Sequence, residues 1–225
     1  MSTRIFLIRH GATQLSAEDS FAGAVDVDLS DEGRGQVDSL ANRLADDNIT
    51  AVYCSPMRRT IETAVILAKP HGLSPIHKAG LKEIDHGHWE AMRRADVEEK
   101  YAEEYSAWQR DPFTFAPIGG ESGVSVMARA LPVIRDIVVN HPDQNVVVVS
   151  HKATIRLIIS SLLGFDARGY RDRLDQSPAC LNILDFKDVV AARLMLFNDV
   201  SHYTDQPPRS SNRLSKEWST TPPGN

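Results

Sequence analysis

The sequence predicts a three-layer α/β/α fold with a mostly parallel central sheet, and three observations carry that expectation. Short apolar runs stand at 5–8 (Ile-Phe-Leu-Ile), 51–54 (Ala-Val-Tyr-Cys) and 146–149 (four valines), the pattern of strands buried on both faces. Stretches of helical periodicity alternate with them, the arrangement that covers a parallel sheet on two sides. Hydrophobic residues make up 42% and charged residues 24% of the 225 positions, so a chain of this length buries a substantial core without disulfides or structural metal.

After the first apolar run comes a loop that reaches Gly23. Ser30-Asp31-Glu32-Gly33 then opens a helix, with Ser30 as its cap and acids in the first turn. Val37, Leu40, Ala41 and Leu44 keep helical spacing to about Asp46. The second strand is followed by a helix that starts at Ser55-Pro56 and runs through Lys69, where Pro70 and Gly72 stop it. A third short strand is expected over 75–77.

Residues 91–110 are helical and heavily charged. Their apolar anchors Val97, Tyr101, Tyr105 and Trp108 either line a substrate lid or pack the helix down. A loop over 111–120 leads to a helix over 124–140, with a kink expected near Pro132. The valine strand precedes a helix over 153–163. Runs at 181–186 and 193–197 form a hairpin around Lys187-Asp188 at the sheet edge. Beyond Tyr203 the chain turns to Pro, Ser, Thr and Arg, and 204–225 is expected to be a disordered tail. Residues 1–203 are thus expected to form one domain.

The net charge of −5 argues against a nucleic-acid groove and against an anionic membrane surface, though not against a local cationic pocket. The apolar run at 5–8, bounded by Arg4 and Arg9, is too short for a signal or spanning segment, so a cytoplasmic location is expected. Cys54 and Cys180 lie in apolar runs without a C-x-x-C pattern and read as small core residues of a reducing compartment.

In sheets of this kind, ligands bind beyond the carboxyl ends of the strands. Arg9-His10-Gly11 follows the first strand, Ser150-His151-Lys152 follows the valine strand, and Arg58-Arg59 lies just past the second. Two histidines and two arginines at one edge suit a dianionic phosphoryl group, whose oxygens match a guanidinium fork. Gly11 is expected to adopt a backbone conformation closed to other residues, so that a ligand approaches the main chain.

At these positions the sequence resembles the histidine phosphatase superfamily, the phosphoglycerate-mutase-like proteins. The family's R-H-G-x-T stands as Arg9-His10-Gly11-Ala12-Thr13, and its G-x-x-D-x-x-L-[ST]-x-x-G as Gly23, Asp26, Leu29, Ser30 and Gly33. S-x-x-x-R-x-x-x-T-A is met by Ser55, Arg59, Thr63 and Ala64, and L-x-E-x-x-x-G-x-W-E by Leu81, Glu83, Gly87, Trp89 and Glu90. Gly119-Gly120-Glu121-Ser122, the Val-Ser-His segment ending at His151, and Asn198-Asp199 with His202 complete the register.

The resemblance implies a phosphoglycerate-mutase-like fold with a helical cap insertion at about 91–118. It implies a phosphomonoesterase that acts on a small phosphorylated metabolite with neither metal nor cofactor. His10 is then the nucleophile, Arg9, Arg59 and His151 clamp the phosphoryl oxygens, and Glu83 donates the proton to the leaving alcohol. Gly11, Thr13, Ser16, Gly23 and Lys152 join Arg9, Arg59 and Glu83 as substrate-binding candidates.

Four positions depart from the family pattern. Leu15-Ser16 replaces a tryptophan-asparagine pair, Ala22 replaces a glutamine, and Lys152 replaces a glycine. Lys152 either adds a cation over the phosphate or an acidic substrate group, or points to solvent. Residues 91–118 resemble the shorter cap of the phosphatases rather than the longer basic insert of the mutases, so hydrolysis is expected, with mutase-type transfer or an inactive phosphate-binding module as alternatives. Asp85-His86-Gly87-His88 suggests a metal site, but H-x-H alone is weak support for one.

Overall fold

The protein is described from a computed structural model, which covers residues 2–14 and 20–205. The expectations placed on Ser16 and on the tail beyond 205 lie outside these residues. Among the described residues the strands are β1 (Thr3–Arg9), β2 (Ile49–Cys54), β3 (Ile76–His77), β4 (Asn145–Ser150), β5 (Leu181–Phe186) and β6 (Ala192–Asp199). They form one sheet in the order β3-β2-β4-β1-β5-β6. The first four positions in this order are parallel, and β5 and β6 add an antiparallel hairpin on the β1 side.

The helices are α1 (Asp31–Leu44), α2 (Arg58–Ala68), α3 (Arg94–Lys100), α4 (Ala102–Arg110), α5 (Gly123–Asn140), α6 (Lys152–Leu163) and α7 (Tyr170–Arg173). Strand alternation divides the core cleanly. Phe6, Ile8, Val52, Cys54, Val147 and Val149 face one way and pack with α1 and α2 through Val37, Leu40, Ala64 and Leu67. Ile5, Leu7, Ala51, Tyr53, Val146 and Val148 face the other way, against Ile134 and Ile137 of α5 and Ile155, Ile158 and Ile159 of α6. Every central strand is therefore covered twice, which is why these runs are continuously apolar rather than alternating.

Local chemistry sets the ends of the elements. Ser30 caps α1 by accepting from the Gly33 N–H at 3.1 Å. The second helix begins at Arg58 rather than at Ser55, with Met57 at its cap position; the Ser55 N–H is still bonded to the end of β4, at the Val149 carbonyl. The charged stretch at 91–110 is two helices, interrupted at Tyr101 (φ −128°, ψ 46°). Val97, Tyr105 and Trp108 pack with Phe21 and Trp89 in a separate small core, so packing holds for most of these anchors.

Gly11 departs from expectation. It is not among the glycines with positive φ, and its N–H donates to the Thr63 hydroxyl at 3.2 Å rather than facing a ligand. What requires glycine is proximity: a Cβ there would lie 2.6 Å from the Gly33 carbonyl oxygen and 2.9 Å from Val37 Cγ2. The loop leaving β1 is pressed onto the first turn of α1, where the Ser30 N–H donates to the Ala12 carbonyl at 2.9 Å. That apposition fixes the backbone on which His10 stands.

Candidate active site

The carboxyl ends of β1, β2 and β4 are level with one another. The His10 N–H donates to the Ser150 carbonyl at 3.1 Å, and the Ser55 N–H to the Val149 carbonyl at 3.1 Å. Three strands thus deliver His10, Ser55 and His151 to one spot. The two imidazoles meet edge to face, with ring centroids 5.2 Å apart.

His10 is 5% exposed, and its Nδ1 lies 2.8 Å from the Gly11 carbonyl oxygen. A carbonyl can only accept, so Nδ1 carries the proton and Nε2 keeps its lone pair. Burial, then the charges of Arg9 and Arg59, hold the His10 pKa well below the ordinary histidine range. The ring is therefore neutral at physiological pH.

His151 is fully buried, and both of its nitrogens are engaged within the protein. Arg59 Nε donates to Nδ1 at 3.2 Å, which leaves the proton on Nε2 to reach the Ser55 hydroxyl at 2.9 Å. It too is held neutral, chiefly by burial and by Arg59. Arg59 also donates to the carbonyls of Val25 at 2.7 Å and Gly23 at 3.0 Å. Its fork thus stitches the 23–25 loop to α2. Arg9 gives Nη1 to the Gln176 carbonyl at 2.7 Å, while its buried Nε has no partner among the described residues.

These groups border a cavity of about 230 Å³, lined among others by Arg9, His10, Thr13, Gly23, Arg59, Glu83 and Lys152. His151 stands behind this wall rather than in it, which sequence position alone did not reveal. Gly23 is where the wall closes, because a Cβ there would fall 1.8 Å from the Ile84 carbonyl oxygen. Lys152 does not point to open solvent: its Nζ pairs with Asp175 at 3.0 Å. Burial, then Arg156 and Arg9, bring its pKa down to about 8.

Glu83 is held at the start of α6. Its carboxylate accepts from the Ala153 and Thr154 N–H groups, each at 3.1 Å, from the Thr154 hydroxyl at 3.1 Å and from the Ile84 N–H at 2.9 Å. The helix has no cap from its own His151. A side chain some seventy positions earlier caps it instead, and a carboxylate suits the positive end of the helix dipole.

The sequence pattern of the histidine phosphatase superfamily, branch 1, matches residues 5–199. The chain belongs to that superfamily. Phosphoserine phosphatase 1 of Hydrogenobacter thermophilus is 35% identical over 163 residues, which cover 72% of this chain and 77% of the relative. A glucosyl-3-phosphoglycerate phosphatase of Mycolicibacterium vanbaalenii is 34% identical over 168 residues, covering 72% and 74%. Among solved structures, a mycobacterial glucosyl-3-phosphoglycerate phosphatase superposes with a TM-score of 0.80 at 28% identity, covering 88% of this chain and 99% of that one. The helix-covered mixed sheet described above is an α/β fold that matches the phosphoglycerate-mutase-like structural neighbours.

As a histidine phosphatase the chain carries wall residues that motif reading missed. Arg156 lines the cavity four positions after Lys152 on α6, and Arg94, Trp108, Tyr170 and Arg171 line it from the cap and from α7. The spacing of Lys152 and Arg156 is one helical turn, a signal the sequence did contain. The histidines of the 85–88 segment lie between the cavity and the α3–α4 pair, and His86 is itself part of the cavity wall. His88 stacks on Tyr101 at 4.5 Å between centroids and approaches Glu104 at 3.2 Å, and His86 packs edge-on to Phe21.

Buried histidines predict that acid weakens the fold of this phosphatase. His86 and His202 are each brought to about 4, mainly by burial, in addition to His10 and His151. A histidine depressed only in the folded state is protonated first in the unfolded chain, so its contribution is complete above the ordinary value of 6.5 and lost as pH falls toward the folded value. The thermal midpoint is expected to be level from pH 7 to 8 and to drop steadily below about 6.5. A midpoint that stays flat or rises between pH 6.5 and 4 contradicts this assignment.

Proposed function

We propose that this protein is a phosphomonoesterase that hydrolyses a small phosphorylated metabolite through a phosphohistidine on His10. The observation that carries the reading is the hydrogen bond from His10 Nδ1 to the Gly11 carbonyl. It leaves Nε2 unprotonated beside the cavity, the state a nucleophilic imidazole needs. Nε2 attacks phosphorus, the P–O bond to the alcohol breaks, and water then attacks the phosphohistidine to release inorganic phosphate.

The buried arginines fit the same reading. Arg9 and Arg59 both have their pKa lowered by burial, so the protein's own groups do not fully compensate their charges. A dianion supplies it, and phosphoryl transfer depends mostly on such positioning and electrostatic stabilisation. Arg59 reaches the phosphoryl oxygens by exchanging a protein acceptor for a substrate oxygen, while His151, behind the wall, steadies the Arg59 guanidinium through Nδ1. Thr13, Gly23 and Lys152 complete the phosphate surroundings. Glu83 protonates the departing oxygen and later takes the proton of the attacking water.

The compact cap of α3 and α4 favours hydrolysis over transfer to a second acceptor. The curated relatives named above are both phosphatases, and the two buried free cysteines suit a cytoplasmic protein. The test is incubation with p-nitrophenyl phosphate and, separately, with 3-phosphoglycerate plus trace 2,3-bisphosphoglycerate. Release of inorganic phosphate without 2-phosphoglycerate is expected. Accumulation of 2-phosphoglycerate identifies a mutase, and no turnover of any ester identifies a binding module.

A further inference from the structure

The cavity holds more positive charge than a phosphoryl dianion needs. Arg9, Arg59, Lys152, Arg156 and Arg171 all line it, against Glu83 as the carboxylate in the same wall. Asp175 behind them is shared by two cations, Lys152 Nζ and Arg156 Nη2, each at 3.0 Å. Once a dianion is bound at His10, a cation remains uncompensated on the side of α6 and α7.

That side is well defined. Arg156 is 5% exposed, and its Nε has no hydrogen-bond partner among the described residues. Arg171 is 8% exposed, and its guanidinium lies 4.0 Å from the centre of the Trp108 ring. Its Nη1 likewise has no partner among the described residues. Its other contacts, Nε to Asp172 and Nη2 to the Gln109 carbonyl, are both long at 3.4 Å, and Asp172 is 35% exposed, where water weakens its pull. Buried Tyr170 lies within the electrostatic reach of Arg156, Arg171 and Glu83 together, so the two arginines share a region with the proposed proton donor. The leaving alcohol is the part of the substrate that meets Glu83.

We infer that Arg171, supported by Arg156, binds a carboxylate carried by the leaving-group half of the substrate, so that the enzyme selects phosphomonoesters of hydroxy acids over those of neutral alcohols. This rests on the phosphatase reading above and adds a residue that sets specificity. The Trp108 ring lies against the guanidinium, so little rotamer freedom is lost when a carboxylate docks.

Two matched pairs test it: O-phosphoserine against O-phosphoethanolamine, and 3-phosphoglycerate against glycerol 3-phosphate. A buried charge-assisted pair predicts a kcat/KM at least ~10-fold higher for each carboxylated member. Arg171→Gln is expected to bring that ratio close to one, while Arg171→Lys keeps part of it; a merely structural role would lower both members together. The inference is overturned if the wild-type ratios are within twofold, or if folded Arg171→Gln keeps the wild-type preference. Should neither pair nor p-nitrophenyl phosphate be hydrolysed, the phosphatase reading itself fails. If Arg171→Gln does not fold, inhibition of the wild type decides. 3-Phosphonopropionate is expected to bind at least ~10-fold more tightly than propylphosphonate, and equal inhibition overturns the assignment.

Discussion

Replacing His10 by alanine is expected to abolish turnover and, with it, any covalent phosphoprotein. Among the described residues, the imidazole is the one neutral, lone-pair-bearing nitrogen base in the cavity wall whose tautomer is fixed by a backbone carbonyl. No other described residue combines those properties with two buried guanidiniums. Removing a nucleophile whose role cannot be taken over by a neighbour costs roughly 10⁴-fold or more in kcat. The fold should survive, because the ring is uncharged and its backbone is held independently by Ser150 and by the loop against α1. Rapid quenching of the wild type in base, followed by intact-mass measurement, is expected to find one added phosphoryl group that His10→Ala lacks. A variant that retains more than a hundredth of the wild-type kcat would mean that water attacks phosphorus directly, and the covalent route would have to be abandoned.

The relation between sequence and site is clearest where chemistry is local. The strands were legible because each is buried on both faces, and strand ends are where open parallel sheets place their ligands. His10 and Arg9 follow from that logic with no further information. His151 followed too, but only as a location. Its engagement by Arg59 and Ser55 depends on side chains 92 and 96 positions away, and no periodicity encodes that. Gly11 shows the opposite case: backbone freedom was the expectation, yet the physical reason for glycine there is the approach of α1. Arg171 left no trace in the pattern, since α7 has only four residues and its charge is indistinguishable in sequence from a solvated surface arginine. What makes it a cavity residue is Trp108, contributed by a helix more than sixty positions earlier.

Glu83→Gln is expected to produce the second largest loss, and its dual position makes the outcome informative. The side chain caps α6 through two backbone N–H groups and a threonine hydroxyl. A capping charge of this kind contributes ~0.3–2 kcal/mol. Glutamine keeps a carbonyl acceptor but no proton to give, so most of the helix capping should persist while acid-base help is removed. General acid catalysis is worth ~10²–10⁴ in rate, or about 3–5 kcal/mol at 1.36 kcal/mol per decade, which exceeds the capping contribution and decides which effect dominates. The deficit should depend on the leaving group: large for alkyl phosphates such as glycerol 3-phosphate, and much smaller for p-nitrophenyl phosphate, whose phenolate departs without a proton. Measured kcat/KM for both esters, alongside the thermal midpoint, separates the roles. Equal losses on the two esters, accompanied by a large fall in midpoint, would assign Glu83 to holding the start of α6 and leave proton transfer to another group.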